Sequence, residues 1–599
     1  MAIKKHISPW FIGIAAAALL SGALALLTPP EYVGSDDAPI LRSFMGYEGG
    51  EPAHYHLILH TVFAWLLRGL ALLLPGVAWF SILQLFLLWF SCAVIVKSAA
   101  ACARNHGLPL LAGAAAGVVF LLVFALYALC RITFTTTAAL VGAAAVAQLF
   151  GVDYQNGSNR QILRGMLLSI ALLVCCHALR QISVLPPLAF CVMALAVLWL
   201  QNFHHAAGSN AARTGETPAR VKRTAKPMYM GILVCALCFG LLAGIRAMEV
   251  HTLRLDDYLA WHDARINLMD YTSFEKNYHS EETLRVGAEF GLSQPELKLI
   301  ANWFFIDSNV STEALQALYA VQPEANLSLM QRLVAAPDII AGFFSANPAY
   351  ALGCGLIAAL ALLCVIACLL RRRKAPWLWW AALLGVVLCA VLMVYLAAQG
   401  RLPARAAATV LFPAGAFLLL LSFLCLAPTG AGGASPWRTS PIVLLCVLCL
   451  VLAGASAQKT IELIFPPAVP DSDIYEFVPS DLDEYALREP EMLFIYDLSL
   501  VGDSRMFPNT EEGIPGNTMF WGGYPARSPS WNHQLAVYGI DGTAFTAHDF
   551  LRENVAVAST DGHPWESLLA YIEADTGLQI DWGFYGELGY VGFFQIYGY

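Results

Sequence analysis

Two neighbouring acids near the start of the chain are the residues whose type and spacing point most directly to chemistry. Asp36 and Asp37 lie in the run GSDDAP (34–39), a few residues after the first hydrophobic segment. A carboxylate held just above a lipid interface can take a proton from a hydroxyl group, or hold a divalent cation against a phosphate leaving group. The same acids could instead cap a short helix beginning at Ala38-Pro39, since side-chain oxygens satisfy free amides and proline suits a first helical turn.

The residues after the acidic pair add polar groups to the same loop. Glu48, His54 and His56 are predicted to bind substrate. The two histidines have HxH spacing, but the sequence indicates no third ligand, so a metal site there stays undecided. The acidic pair could bind a divalent cation, Mg²⁺ or Mn²⁺. No organic cofactor is predicted.

The composition indicates that these residues belong to a membrane protein. The chain has 599 residues, of which 58% are hydrophobic and 13% charged, and its mean hydropathy is +0.61. Apolar stretches recur at the length needed to cross about 30 Å of hydrocarbon. No basic cluster of the kind that binds nucleic acid is visible. All 15 cysteines lie in or beside hydrophobic segments, which predicts small buried side chains rather than disulfides.

Eleven hydrophobic segments are predicted to span the membrane. No small-residue cleavage site follows the first segment, so we interpret it as an uncleaved helix rather than a signal peptide. The predicted spans are Trp10–Leu27, Ala78–Val96, Leu108–Cys130, Phe134–Phe150, Gly165–Leu179, Val184–Leu200, Met230–Ile245, Ala351–Leu370, Trp377–Leu396, Ala406–Leu426 and Pro441–Ala455.

Lysines and arginines set the predicted orientation, because they accumulate in short cytoplasmic loops. The segment Leu57–Leu74 carries His60 and Arg68, and we interpret it as a helix lying in the outer interface. With that assignment the basic clusters become cytoplasmic; they are Lys97, Arg104, Arg160, Arg164, Arg213, Arg220, Lys222, Arg223, Lys226 and Arg371–Lys374. The prediction is a multi-pass protein of the inner (plasma) membrane with a cytoplasmic amino terminus and an extracytoplasmic C-terminal domain.

Four regions follow from this topology. Residues 1–246 form an N-terminal transmembrane module with a first outer loop at 28–77. Residues 247–347 form an extracytoplasmic loop with a helical pattern, including a helix at Ser293–Trp303. Residues 348–457 form the C-terminal transmembrane helices, and residues 458–599 form a small extracytoplasmic α/β domain. In that domain the sequence predicts strands at Leu535–Tyr538, Val555–Ala558 and Val591–Ile596 and a helix at Pro564–Ala574 that ends before Gly577.

Several aromatic residues of the outer regions could stack on sugars, although aromatic side chains are equally the usual core of a small domain. In the tail they include Trp521, Trp531, Trp565 and Trp582. The tail opens with a markedly acidic run, which should repel anionic lipid headgroups. Its acids are Asp471, Asp473, Glu476, Asp481, Asp483 and Glu484.

Four arginines at predicted outward helix ends run against the tendency of basic residues to lie inside. They are Arg131, Arg180, Arg401 and Arg405. The planar guanidinium group is well suited to phosphate, so the four are predicted to bind the phosphate of a lipid-linked donor. The alternative for each is that it reaches lipid headgroups or pairs with an acid of a loop.

The order of these features resembles the GT-C superfamily of polytopic glycosyltransferases. A first helix is followed by an outer loop opening with an acidic pair, an interfacial helix preceded by EPAHYH (51–56) and a span beginning near Trp79; the segment FTTTAA (134–139) resembles an uncharacterised bacterial branch. The resemblance covers roughly the first two hundred residues. It implies that Asp36 or Asp37, with Asp37 slightly favoured, activates the acceptor. It also implies that Arg180, which stands ahead of a Leu-Pro break, binds the donor.

The function that the resemblance implies is transfer of a sugar from a polyprenyl-phosphate donor to a lipid or glycan acceptor of the cell envelope. Two other functions stay open: a flippase or transporter of lipid-linked glycans, and a non-catalytic scaffold of an envelope polysaccharide assembly. Transporters usually keep ionisable groups near the bilayer midplane, whereas the predicted spans carry their charges at their ends.

Overall fold

The structure, a computed structural model, describes residues 7–33, 36–208, 217–370, 377–427, 436–465, 479–500, 505–523, 525–560, 565–588 and 591–599. Within these ranges only the backbone is described at 203–208, 217–225, 436–439, 479–481, 499, 560 and 588. Ten helices of the described chain are long and apolar enough to cross a membrane, and a small sheet lies in the C-terminal region. The predicted class, a polytopic helical membrane protein with a small C-terminal sheet domain, is confirmed.

The α-helices of the described residues range from a single turn to long apolar spans. In chain order they are α1 (Pro9–Leu27), α2 (Asp37–Met45), α3 (Thr61–Leu73), α4 (Trp79–Asn105), α5 (Leu110–Phe120), α6 (Leu126–Cys130), α7 (Phe134–Phe150), α8 (Asn159–Leu179), α9 (Leu185–Gly208), α10 (Thr217–Leu253), α11 (Asp256–Tyr271), α12 (Phe274–Asn277), α13 (Glu281–Glu289), α14 (Gln294–Ala301), α15 (Thr312–Ala320), α16 (Leu329–Ala346), α17 (Pro348–Leu370), α18 (Trp377–Ala398), α19 (Ala404–Leu426), α20 (Pro436–Ile464), α21 (Pro479–Arg488), α22 (Pro529–Val537) and α23 (Trp565–Thr576).

The β-strands are short. They are β1 (Glu31–Tyr32), β2 (Arg131–Ile132), β3 (Leu493–Tyr496), β4 (Thr518–Phe520), β5 (Val555–Thr560), β6 (Ile580–Leu588) and β7 (Val591–Gly598). A π-helical stretch, Leu121–Ala125, joins α5 to α6, so that Leu110–Cys130 is one continuous apolar helix.

The chain divides into two compact units. The first, which we call the helical unit, comprises Met1–Glu31, Gln84–Ala243 and Ala335–Val469. The second, which we call the mixed unit, comprises Tyr32–Leu83, Gly244–Val334 and Pro470–Tyr599. The mixed unit therefore draws on the first predicted outer loop, the middle loop and the tail.

In the helical unit, α7 is the central helix. All 17 of its residues are buried, and it contacts α8, α9 and α19. Thr133 caps it, because the Thr133 hydroxyl accepts from the Thr136 backbone N–H at 3.1 Å. Its bounds match the predicted span, although at 17 residues it falls just short of the ten longer candidate spans.

Several spans extend beyond their predicted ends. For Ala78–Val96 the predicted end was wrong, because it placed Lys97 outside the helix. The helix α4 continues to Asn105, so Lys97 lies inside it rather than after it. Lys97 is buried, and its Nζ donates to Gln148 Oε1 at 2.6 Å and lies 5.0 Å from the Trp10 ring centre. A buried partner lets the helix continue past a charge that the sequence suggested as its end.

The interfacial helix was also predicted too long, since Leu57–Leu74 contains only the shorter α3. His56 explains the late start, because its Nδ1 accepts from the backbone N–H groups of Ile58 and Leu59, each at 3.2 Å. These bonds hold a turn before the helix. His60 then caps α3, with Nδ1 accepting from the Val62 N–H at 3.3 Å.

The mixed unit contains a five-stranded sheet with the order β4-β3-β5-β7-β6. The strand β3 pairs in parallel with β4 and β5, whereas β7 pairs antiparallel with β5 and β6. The strand β3, which lies between β4 and β5, is buried on both faces. Its continuous apolar run, LFIY, is typical of a strand covered on both sides.

Two hydrophobic clusters cover the two faces of the sheet. On one face Leu493 and Ile495 pack with residues of α22 and α23 and with Phe304 of the middle loop. On the other face Phe494 packs with Leu482 of α21. The middle loop and the tail therefore share one core. They approach so closely that a Cβ atom on Gly522 would lie 1.6 Å from the Trp303 carbonyl oxygen, which requires glycine there.

The predicted strand at Leu535–Tyr538 was wrong, because Pro529–Val537 forms the helix α22. The Ser528 hydroxyl accepts from the Trp531 N–H at 3.2 Å, and Pro529 occupies the first turn. The buried side chains of the helix are Trp531, Gln534 and Leu535, which is helical spacing. The window that suggested a strand was too short to show this period.

Other elements of the prediction are confirmed. The strands at Val555–Ala558 and Val591–Ile596 lie in β5 and β7, and the helix predicted from Pro564 is α23, ending before Gly577 at φ +67°. Ser293 caps α14 in a capping box with Glu296. All 15 cysteines are free and at least half-buried. The predictions for Arg371–Lys374, Asp471, Asp473 and Glu476 lie outside the described residues, as do the predicted side-chain roles of Arg213, Arg220, Lys222, Arg223 and Asp481.

Candidate functional site

The acidic pair lies at the start of α2 in the mixed unit. Asp36 occupies the N-cap position but its side chain makes no capping hydrogen bond, and Asp37 is the first helical residue. Asp36 is half-buried, whereas Asp37 is 0% exposed. Consecutive residues at a helix start point in different directions. Of the two residues, only Asp36 reaches the solvent-accessible surface, and its side chain is not used to cap the helix.

Asp36 contributes to the electrostatic environment of a buried arginine of the middle loop. Arg265 of α11 is 2% exposed, and its guanidinium donates to the Gly523 carbonyl and to His262 Nδ1, the latter at 2.9 Å. Burial lowers the pKa of Arg265 to about 10, although Asp36 is among the groups that oppose this shift. Burial and the Arg265 charge lower the pKa of His262 to about 2, so this imidazole is neutral.

Sequence reasoning did not assign the face of α11 that carries Arg265 to a functional site. Tyr258, His262 and Arg265 are spaced i, i+4 and i+7 and so share one helix face. Burial raises the pKa of Tyr258, and Tyr55 and Glu48 add to that shift. The helical spacing of three polar side chains in a loop was the signal available in the sequence.

Glu48 is half-buried beside a small cavity with about 30 Å³ of free space, enough for about one water molecule. The cavity is also lined by Pro39, in the first turn of α2, and by Pro525. Burial raises the pKa of Glu48 from 4.5 to about 7, and the Arg42 charge only partly opposes this. A carboxyl group with a pKa near 7 can serve as a general acid or base at neutral pH.

Arg42 is committed to another partner. Its guanidinium forms two parallel hydrogen bonds with the Asp483 carboxylate, at 3.0 and 3.2 Å, and a third with the Thr518 hydroxyl at 3.0 Å. It also lies 3.8 Å from the centre of the Tyr47 ring. Burial opposes the charge of Arg42, but Asp483 outweighs it and raises the Arg42 pKa. The pair joins the first loop to the tail within the mixed unit.

We expect the Glu48 carboxyl to make the stability of the mixed unit fall as pH rises. Because its folded-state pKa is above its ordinary value, the folded form binds the proton more tightly, and the stabilisation is lost as pH rises through about 7. Glu48→Gln should therefore unfold a few degrees higher than wild type above that pH and show a flatter profile. Thermal unfolding from about pH 5 to about pH 9 measures this.

The exposed neighbour Glu51 gives a matched control, since its side chain is 61% exposed. Glu51→Gln should keep the wild-type profile. A Glu48→Gln profile as steep as that of wild type would mean that Glu48 is ionised in the folded protein throughout this range.

The two histidines of the HxH run do not converge. His56 is buried and uses Nδ1 to hold the turn before α3, and burial followed by the Arg246 charge lowers its pKa to about 3. His54 is exposed, with Arg68 and Glu51 beside its ring. Burial and Arg68 lower the His54 pKa, against the opposing effect of Glu51. A shared metal between them is therefore not supported, and His56 is positioned as a structural residue.

A divalent cation does not fit the described residues. No group of three or more His, Cys, Asp or Glu side chains among them is arranged to hold a metal ion. Asp36 and Asp37 point in different directions and, within the described ranges, have no third carboxylate grouped with them. We therefore derive no chemical step through a metal.

In the helical unit, Arg180 lies at the N-terminal end of α7. It caps the end of α8, its guanidinium donates to the Thr135 hydroxyl, and it lies 5.5 Å from the Phe134 ring centre. Arg131 is near the same end, because only residues 131–133 separate α6 from α7. Arg131 pairs with Glu31 at 2.5 Å, which realises the predicted alternative of an acidic partner for this arginine.

Arg401 and Arg405 lie at the start of α19, and ring contacts show which way α19 runs. Phe412 meets the Phe124 ring at 5.9 Å, whereas Gly415, further along α19, lies against Phe120 as well. Because α19 runs antiparallel to the Leu110–Cys130 helix, it starts at the end where that helix finishes. All four predicted donor arginines therefore lie at one end of the helical unit.

The opposite end carries a different set of basic residues. Gln148, near the end of α7, donates to the Gly165 carbonyl at 3.1 Å and accepts from Lys97 at 2.6 Å. This contact places the beginning of α8 and the last part of α4 together. The described basic residues at this end include Lys97, Arg104, Arg160 and Arg164.

A cavity of about 350 Å³ opens at the arginine end of the helical unit. Its wall includes Phe124, Tyr127, Tyr350 and Phe412, and its mostly apolar lining also contains the charged residues Lys459 and Glu462. The backbone N–H of Arg131 donates to the Tyr127 carbonyl, so this arginine begins beside the cavity. Cavities of this size accommodate organic ligands.

No protein-family profile matches the sequence, and a search of curated proteins finds no match. Among solved structures, an oligosaccharyltransferase of Archaeoglobus fulgidus in complex with Zn and sulfate is similar at 10% identity and a TM-score of 0.42, over 97% of this chain and 72% of that one. ArnT from Cupriavidus metallidurans, bound to undecaprenyl phosphate, is similar at 10% identity and a TM-score of 0.35, over 98% of this chain and 97% of that one.

Both neighbours are glycosyltransferases of the GT-C fold, the family that the sequence resembles. At 10% identity, the likeness to both is one of fold.

Proposed function

We propose that this chain is an integral membrane glycosyltransferase that transfers a sugar, hexosyl or pentosyl, from a polyprenyl-phosphate donor to a lipid or glycan acceptor of the cell envelope on the extracytoplasmic face. Asp36 is the general base in this proposal, because it is half-buried whereas Asp37 is fully buried. Arg180, with Arg131, Arg401 and Arg405, binds the donor phosphate. Glu48 and His54 contribute to substrate binding.

The reaction is a direct displacement. An acceptor hydroxyl oxygen attacks the anomeric carbon of the donor sugar, and the bond between that carbon and the phosphate oxygen breaks. The hydroxyl proton passes to the Asp36 carboxylate, and polyprenyl phosphate leaves with the electron pair of the broken bond. The arginines stabilise the negative charge that grows on the leaving phosphate.

The arginines at one end of the helical unit are the observation that carries the proposal. Four arginines lie at this end, and one of them, Arg131, begins beside a mostly apolar cavity of about 350 Å³ through its backbone bond to Tyr127. Guanidinium groups next to an apolar cavity suit a ligand with a phosphate on a hydrocarbon chain. Because Arg131 already pairs with Glu31, we expect it to contribute less to phosphate binding than the other three arginines.

Lys97 is one described residue that bears on the transporter alternative. It is a buried ionisable group inside a span, which is the kind of residue that ion-coupled transporters use. It lies, however, in the last third of α4, close to the end that carries Arg104. Lys97 therefore fits an interfacial position better than a midplane coupling site.

Release of polyprenyl phosphate by the purified protein in liposomes tests the proposed function. The protein is supplied with a panel of polyprenyl-phosphate hexoses and pentoses and with a membrane-lipid and glycan extract as acceptor. We expect acceptor-dependent release from at least one donor. If every donor stays intact while the folded protein is present, the glycosyltransferase assignment is wrong.

We expect the acidic pair to be accessible from outside the cell. Val33, three residues before Asp36, is 38% exposed and gives a site for a reporter thiol. In spheroplasts, Val33→Cys should react with a membrane-impermeant maleimide without permeabilisation, because the native cysteines are at least half-buried. Asn159→Cys, at the exposed start of α8, should react only after permeabilisation. The reverse pattern would invert the orientation and remove the proposed chemistry from the outer face.

A further inference from the structure

The last strands of the mixed unit carry an exposed group of aromatic rings that the proposed reaction does not use. Trp582 and Phe584 are 44% and 57% exposed and lie two residues apart on β6, so they share one face of the sheet. Phe584 is directly opposite Phe594 of β7 in the strand register. The strand β6 is at the edge of the sheet. We call Trp565, Trp582, Phe584 and Phe594 the aromatic platform.

The rings of the aromatic platform hold one another in place. Trp565, at the start of α23, lies on Phe594 with ring centres 4.5 Å apart. Trp582 stands nearly perpendicular to both of them, at 5.2 Å from Phe594 and 6.1 Å from Trp565. Edge-to-face rings of this kind are mutually stabilising. The platform is thus a supported set of rings with open faces rather than a few isolated surface side chains.

The other tail tryptophans show why the platform is unusual in this unit. Trp521 and Trp531 are 1% and 2% exposed and belong to the core beneath the sheet. The unit therefore has enough aromatic residues for its core without Trp582 and Phe584. Keeping large apolar rings in solvent at a sheet edge is a liability unless a partner covers them.

The charges of the segment that carries the platform restrict what that partner can be. The segment 565–599 contains no Lys, Arg or His, and its charged residues are Glu566, Glu573, Asp575, Asp581 and Glu587. Asp581 is the immediate neighbour of Trp582. An anionic lipid surface, a nucleic acid or an acidic polysaccharide would be repelled here. A neutral or amino-bearing ligand would be accepted.

We propose that the aromatic platform binds a neutral or amino-sugar glycan, whose apolar ring faces lie on Trp582 and Phe584 while its hydroxyl or ammonium groups face the surrounding carboxylates. This proposal names the acceptor class of the proposed function. Only the role of the glycan as acceptor rests on that function. Binding itself does not depend on catalysis.

Titration of soluble oligosaccharides into the full chain in zwitterionic nanodiscs, followed by calorimetry, tests the platform. The probes are a chito-oligosaccharide, which is neutral, a chitosan oligomer, which is cationic, and an oligogalacturonate, which is anionic. We expect the first two to bind and the third not to bind. Trp582→Ala should weaken binding about tenfold or more, and Trp582→Phe should retain most of it because a ring face remains.

Two further variants separate ring stacking from general apolar contact. Trp582→Leu keeps apolar area without a ring and should lose binding almost as fully as Trp582→Ala. Phe290→Ala removes an aromatic ring of the middle loop that is 37% exposed and should leave binding unchanged. Absence of glycan binding by wild type, a preference for oligogalacturonate, or equal losses for Trp582→Ala and Phe290→Ala would overturn the proposal. Self-association or anionic-vesicle binding that Trp582→Ala abolishes, without glycan binding, would assign the rings to another partner.

The Asp36→Asn/Asp37→Asn double variant keeps this proposal distinct from the proposed function. It should bind the chito-oligosaccharide as wild type does. Glycan binding without any donor turnover would overturn the proposed function alone, and donor turnover without glycan binding would overturn the platform alone.

Discussion

Asp36→Asn should lower the rate of sugar transfer by a factor of about a hundred to ten thousand, the range that general acid–base catalysis contributes. The amide is close to the carboxylate in shape but cannot accept the proton of the acceptor hydroxyl. Donor binding should change little, because the lost interaction forms with the acceptor as it reacts. Initial rates at saturating donor and acceptor, with protein amount matched by quantitative immunoblot, measure the effect.

Asp37→Asn and Asp257→Asn are the comparisons that give this result its meaning. Asp37 is 0% exposed, so its substitution should act mainly on the stability of α2 and much less on the rate for the folded protein. Asp257 is an exposed acid in the first turn of α11, and Asp257→Asn should transfer at the wild-type rate. A folded Asp36→Asn protein with full activity would remove Asp36 from the catalytic role, and a selective loss in Asp37→Asn would give that role to its neighbour.

Arg180→Ala should raise the KM for the polyprenyl-phosphate donor by a factor of about ten to a hundred and leave the acceptor KM nearly unchanged. A hydrogen bond to a charged group contributes about 1.5–3 kcal/mol, which corresponds to that range. Arg180→Lys should recover part of the loss, since lysine keeps the charge but not the paired donors of the guanidinium. Steady-state kinetics with each substrate varied in turn measure the two constants.

Two controls distinguish a donor contact from a structural role. Arg160→Ala removes an exposed arginine at the opposite end of the helical unit and should leave both constants unchanged. Thr135→Val removes the hydroxyl to which Arg180 donates. If Thr135→Val reproduces the whole loss, or if Arg180→Ala raises both constants equally, Arg180 acts by holding the start of α7 rather than by binding phosphate.

Membrane-spanning segments are the part of the fold that the sequence predicts best, because a long apolar run has few alternatives to a buried or lipid-facing helix. The bounds of α7 were predicted without error, even though this helix is wholly enclosed by protein. The prediction failed where a polar partner was supplied from elsewhere. Lys97 suggested an end to α4, but Gln148, fifty-one residues later, lets the helix continue.

Short segments of the mixed unit were less predictable, because four or five residues do not distinguish a strand period from a helix period. Leu535–Tyr538 looked like a strand, and only the Ser528 cap and the burial of Trp531 and Gln534 show the helix. The residues around Asp36 are harder still. Arg265 reaches this end of α2 through the fold, and Arg42 meets Asp483 across 441 residues of chain.

The acidic pair can be identified from the sequence, but the different burial of its two carboxylates cannot. Both carboxylates are adjacent in the chain, and the sequence slightly favoured Asp37 as the base. The exposure of each carboxylate depends on which face of α2 is covered by the rest of the mixed unit. In the fold, Asp37 is buried and Asp36 is half-buried. The histidine pair shows the same limit, since His56 is buried in a turn while His54 is exposed.

Transfer of a labelled sugar by the purified full chain is the most direct test of the proposed function. Wild type and the Asp36→Asn/Asp37→Asn double variant are placed in matched liposomes with a labelled polyprenyl-phosphate sugar and an envelope extract, and the label in the acceptor fraction is counted. We predict that wild type moves label to the acceptor and releases polyprenyl phosphate in equal amount, and that the folded double variant does neither. Equal transfer by the two proteins, or none by wild type with any donor, would contradict a glycosyltransferase that uses this acidic pair.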